Sequence, residues 1–131
     1  MKKLKTRNER GQTMTEFAIV LPVLAFVLFA ILQFGIVFNN YITLTNAVRA
    51  GGRTAAVSRT EASPVTVTVN RVKSAASDLT QTSINVSVAT PNGWNPGKDV
   101  TVTATYPYSV SLFGLVVKSG NLSSRVTERI E

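Results

Sequence analysis

The sequence predicts an α+β protein: a long N-terminal transmembrane and stem helix carrying a small C-terminal head, in which one helix packs on a three-stranded antiparallel sheet. Three observations carry this expectation. Residues 17–38 contain no charged side chain. Apolar residues then recur at helical spacing as far as Leu79, and beyond Ser83 they alternate with polar ones in the manner of strands. With 131 residues in all, the chain has room for one small domain outside the apolar run.

From Phe17 to Leu32 the chain reads FAIVLPVLAFVLFAIL, without a polar side chain, and allowing Gln33 and Gly35 it runs on to Phe38. About 20 helical residues cross a hydrocarbon core of about 30 Å. In lipid the backbone must satisfy its own hydrogen bonds, so the span is expected to be helical even at Pro22, which removes one donor and bends the helix locally. Buried core helices of water-soluble proteins rarely run this far without a charge. A cleaved secretory signal fits poorly too, because its apolar region is shorter and ends at a small-residue site. Val48-Arg49-Ala50 meets that rule loosely, but the polar stretch opened by Asn39-Asn40 separates it from the apolar run.

The helical pattern continues through Ile42, Leu44, Ala47, Val48, Ala55 and Ala56. Gly51-Gly52 either weakens the helix there or admits another part of the chain closely. Arg49 and Arg53 share a face, and solvation is the simplest reading of the pair. Ser63-Pro64 reads as an N-cap followed by proline at the first helical position. Val65, Val69, Val72, Ala76 and Leu79 then form an apolar seam. Val65, Val67 and Val69 also alternate with threonine as a strand would, but the seam outlasts the alternation, so a helix is expected over 64–79.

Strands are expected at SINVSV and DVTVTATYPY, separated by the turn-rich TPNGWNPGK, and at the terminal SSRVTERIE. Before the last comes a looser apolar patch, LFGLVV at 112–117, and a polar turn at Lys118–Asn121. Trp94 either marks a contact surface or packs on the sheet. Three strands with one apolar face need a cover, and the upstream seams provide it.

Charge and composition narrow the function. The sequence has neither cysteine nor histidine, which excludes disulfides, thiolate and imidazole metal sites, and nucleophile–histidine catalysis. Asp78, Asp99, Glu61 and Glu128 follow no catalytic spacing, so no enzyme activity, cofactor or metal is expected. Net charge is +7, but Lys2, Lys3, Lys5, Arg7 and Arg10 against Glu9 place +4 of it ahead of the apolar run. Basic residues elsewhere are scattered without interleaved aromatics, so nucleic acid is not an expected partner. The basic cluster is a topology signal, and the organisation expected is a basic cytoplasmic segment at 1–11, a transmembrane and stem helix at 12–58 and an extracytoplasmic head at 59–131. The bound at residue 11, and the reading of 1–11 as a leader, are what the family resemblance given below implies.

The most specific feature is the junction Arg10-Gly11-Gln12-Thr13-Met14-Thr15-Glu16-Phe17. A carboxylate at the start of a membrane span is costly unless paired, yet residues 11–48 contain no Lys, Arg or His. A cut after Gly11 would create a cation, the α-amine of Gln12, which could neutralise Glu16 of a neighbouring copy. The competing readings are a snorkelling Glu16 and a Gly11 that merely precedes the helix.

Glycine, four residues, Glu16-Phe17 and an apolar helix resemble the class III signal of type IV pilins and pseudopilins. The stretch over roughly residues 11–57 closely resembles the TadE-like family of tight-adherence (Flp, type IVb) pilus systems. The matching features are Glu16-Phe17-Ala18, Leu21-Pro22, Gly35 and Ala47…Arg49…Gly52-Arg53…Ala55-Ala56. The resemblance implies cleavage of the Gly11–Gln12 bond by a membrane prepilin peptidase. It also implies a role for Glu16, with Phe17 beside it, in docking among pilin-like subunits and Tad secretion machinery. The expected product is a minor pilin or pseudopilin in the cytoplasmic (inner) membrane, in contact with lipid and open to incorporation in an adhesion pilus. The alternative is an uncleaved single-pass envelope binding protein.

Overall fold

The computed structural model describes residues 6–131, with side chains described from Gly11 onward. Lys2, Lys3 and Lys5 lie outside the described residues, as do the side chains of Arg7 and Arg10. The expected architecture is present: a long helix α1 (Thr6–Val57), a short helix α2 (Pro64–Ala75), and strands β1 (Asn85–Ala89), β2 (Asp99–Leu112) and β3 (Leu115–Arg129). The sheet has the order β1-β2-β3, antiparallel throughout.

Helix α1 has 52 residues, about 78 Å at 1.5 Å per residue. It continues through Pro22 and begins ahead of Gly11, inside the segment the sequence assigns to the leader. Its two halves meet different surroundings. Between Phe17 and Phe38, fifteen large apolar side chains are exposed. In the C-terminal half, Leu44, Ala47, Val48 and Ala55 are fully buried and join Val72, Val100, Val102 and Ala104 in one core.

The glycine pair explains how α1 fits so closely against the head. A Cβ on Gly51 would collide with Cγ2 of Val72, and one on Gly52 would lie 2.5 Å from Cγ1 of Val126. Of the two readings of Gly51-Gly52, close approach holds: α2 contacts one glycine and β3 the next, while the helix runs on unbroken.

Helix α2 starts at Pro64, as the cap signal predicts. Ser63 contributes its carbonyl, which accepts the Val67 N–H at 3.1 Å, and makes no side-chain cap. The helix stops at Ala75, short of the expected Leu79. The buried stripe is Thr68, Val72, Ala76 and Leu79, and Val65 is exposed. Thr68 replaces an apolar residue there because its hydroxyl donates to the Pro64 carbonyl at 2.8 Å, so no polar atom is stranded.

One expectation about the sheet is corrected. Lys118–Asn121 is not a turn: it lies inside β3, where Lys118 pairs with Val110 and Asn121 with Pro107. The chain reverses at Phe113-Gly114, between the paired Leu112 and Leu115. Both turn residues have positive φ, 51° and 82°, as a two-residue type I′ hairpin requires. The stretch 118–121 looks turn-like because it belongs to an exposed ribbon extending past β1. Gly120 sits there opposite Tyr108, where an added Cβ would lie 3.1 Å from the ring.

Trp94 is partly buried and packs against the core, so the packing alternative holds for it. The loop around it is tied to the end of the sheet. Gly97 N–H donates to the Ile130 carbonyl at 2.7 Å and Ile130 N–H donates to that of Lys98 at 2.8 Å. Glu131 N–H reaches the Ala56 carbonyl at 3.0 Å, joining this end of the chain to α1.

Candidate assembly site on the stem helix

Residues 11–17 occupy two turns of α1 just before the apolar run. Gln12 Nε2 donates to Glu16 Oε1 at 3.2 Å, and the Thr15 hydroxyl donates to the Gly11 carbonyl at 2.9 Å. Both bonds join residues four apart, which is one helical turn. Glu16 is exposed, as are Gly11, Gln12 and Phe17. The acid therefore has a neutral amide as its partner, and among the described residues it forms no ion pair. The nearest cation that follows it in sequence, Arg49, is 33 residues on, about 50 Å along the axis.

Gly11 differs in kind from Gly51 and Gly52. Nothing lies within 4 Å of the position its Cβ would take, so packing does not require a glycine there. In a helix interior glycine is less favourable than alanine by about 1 kcal/mol. The Gly11–Gln12 bond thus sits at a locally weak point of the helix, with Gly11 and Gln12 both exposed. The alternative in which Gly11 is a turn before the helix does not hold, because α1 begins at Thr6.

The apolar surface beyond Glu16 is turned outward on every side. Phe17, Ile19 and Val20 are exposed, as are Ile31, Leu32 and Phe34 two turns and more further on. The most apolar window has a mean hydropathy of 2.7, and none of it is buried inside the protein. A helix that is hydrophobic all round and largely uncovered by its own chain requires an apolar environment from outside.

One feature of this surface escapes the sequence reading. The β2–β3 turn reaches back along the stem, and the ring of Phe113 stacks on Phe26 with centroids 6.4 Å apart. Phe29 meets the same ring edge-on at 5.5 Å. The only hint in the sequence is the apolar patch LFGLVV, whose Phe113-Gly114 puts glycine at the second turn position but a bulky ring at the first. Arg49, Arg53 and Arg59 lie on the surface near the head, in keeping with solvation. Among the described residues no group of three or more Asp or Glu side chains is close enough to hold a metal ion.

Residues 11–53 match the family model described as TadE-like protein. The match begins at Gly11 and ends at Arg53, so it takes in Glu16, the apolar span and the glycine pair. It agrees with the resemblance over residues 11–57 and stops before the head. No curated protein and no solved structure matches the chain.

Proposed function

We propose that this TadE-like chain is a minor pilin or pseudopilin of a Tad pilus system, inserted in the membrane by α1 and assembled through it after processing. The observation that carries the reading is the pairing of a largely exposed apolar stem with an acid that forms no ion pair among the described residues. Cleavage of the Gly11–Gln12 bond removes the basic leader and leaves an α-amine on Gln12. On a neighbouring copy, that amine is the charge Glu16 lacks. Side-by-side packing of stems then exchanges lipid contact for side-chain contact, and the ion pair sets their stagger. The basic leader keeps the N-terminus cytoplasmic and the head outside.

The protein acts by assembly and has no enzymatic role in this reading; its partners are lipid, a prepilin peptidase and other pilin-like subunits. An intact-mass measurement on protein purified from its native host tests the processing step. The expected polypeptide begins at Gln12, and a mass that retains residues 1–11 overturns it. The continuity of α1 across Gly11–Gln12 favours the second reading, an uncleaved single-pass anchor for a binding head, and the same measurement separates the two.

A further inference from the structure

The β2–β3 turn is built against the rules for a hairpin tip in water. Such tips are polar, and their positive-φ positions go to Gly, Asn or Asp. Here a phenylalanine holds φ 51°, a conformation that bulky residues rarely adopt. Phe113, Leu115, Val116 and Val117 are all exposed, at 63–75%. Phe113 also rests on Phe26 and Phe29, in the middle of the apolar run of the stem.

We propose that the tip of this hairpin enters the same hydrocarbon layer as the stem, so that the protein meets the membrane with a helix and a β-ribbon together. This rests on the reading of α1 as a membrane span. The occupant of the exposed tip is lipid, because the tip continues a surface already uncovered and apolar at the same level. Whatever bathes Phe26 and Phe29 bathes Phe113.

The lengths of the two elements agree. Tyr108 lies five residues from the turn residue Phe113, about 17 Å along a strand. Tyr41 lies 12 to 15 residues from Phe29 and Phe26, about 18–22 Å along a helix. The two tyrosines are thus level, and they line one groove between stem and ribbon, together with Lys118. Tyrosine and lysine are the residues that settle at a membrane interface. Open strand edges are costly in hydrocarbon, which keeps the immersed part to the pairs between Tyr108 and the turn, about 17 Å of ribbon, with Lys118 reaching back toward the level of the tyrosines. That part contains the apolar patch.

Tryptophan fluorescence on the full chain in phosphatidylcholine vesicles tests the inference. Trp94 is the single tryptophan, so Trp94→Phe supplies a silent background for Phe113→Trp. Val116→Trp probes the same tip at an ordinary backbone position and serves if the ring at 113 is not accommodated. Leu28→Trp, turned about 200° around the helix from Phe26, reports the stem alone. Lipids brominated along the acyl chain are expected to quench the tip probes at least twofold, and aqueous acrylamide is expected to leave them bright. Quenching of the tip by acrylamide overturns the inference, as does quenching by neither agent, which would mean cover by another copy. If Leu28→Trp is quenched by bromolipid and the tip is not, the ribbon stays out of the bilayer while the stem spans it. If Leu28→Trp also escapes bromolipid, the membrane reading itself fails.

Discussion

Replacing Gly51 by alanine sets two physical effects against each other, and the sign of the result decides between them. In a helix interior alanine is favoured over glycine by about 1 kcal/mol, so propensity alone predicts a more stable head. The structure predicts the reverse. An added Cβ would overlap Cγ2 of Val72, a side chain that is fully buried on α2 and unable to withdraw. Overpacking of this kind costs about 1–3 kcal/mol, so Gly51→Ala is expected to destabilise by about 1 kcal/mol net. Val72→Ala alone removes two buried methyl-sized groups and costs about 2–3 kcal/mol with its cavity. In the double variant the new methyl enters the vacated space, so the combined loss should fall below the sum by 1 kcal/mol or more. Urea unfolding in detergent micelles measures all four corners of this cycle through Trp94 emission, since that ring packs on the core. A stabilised Gly51→Ala that adds simply to Val72→Ala would refute the close-approach account of the glycine pair.

Two further predictions concern assembly. Glu16→Ala removes the acid but leaves Gly11, the leader and the span in place; pilus yield should fall well below a tenth of wild type, with the mature N-terminus unchanged. Full piliation in that strain removes Glu16 from the mechanism. Gly11→Leu adds a side chain where nothing lies within 4 Å, so urea stability of the head should be unchanged within about 0.5 kcal/mol. Uncleaved chain should accumulate in the membrane, and mass spectrometry showing normal processing would mean that glycine is not required at the cut.

The stem and the cap of α2 were legible because their signals are local. An uncharged run from Phe17 to Phe38 allows little besides an apolar helix, and Ser63-Pro64 marks a helix start without help from the rest of the chain. The hairpin turn was not legible for the converse reason. Phe113 takes a conformation that its own preferences oppose, while Lys118–Asn121 offers the polar composition of a turn inside a strand. Gly51-Gly52 stood between these cases. The sequence announces an anomaly there, but only the fold brings Val72 and Val126 to the two missing side chains. At the candidate assembly site the acid and the glycine were visible as chemistry, since a carboxylate with no Lys, Arg or His between residues 11 and 48 demands an account. Phe113 carried no such demand until it was seen against Phe26 and Phe29.

The division of α1 explains why one helix serves both as anchor and as part of a folded head. Its C-terminal half contributes four fully buried side chains to the core, so the head cannot form without it. Fifteen large apolar side chains between Phe17 and Phe38 remain exposed. At about 1 kcal/mol for each half-exposed side chain, leaving them in water costs on the order of 15 kcal/mol, as much as the whole stability of a typical small domain. The stem therefore belongs in lipid or against other stems. Because lipid and a neighbouring helix are almost equally apolar, transfer between them changes the hydrophobic term little. In the proposed function, what distinguishes the two environments is the treatment of Glu16: among the described residues its partner is the amide of Gln12, whereas a processed neighbour would offer a positive charge. On that proposal the direction of assembly would be set by one acid at the end of a helix whose apolar surface is indifferent between the two states.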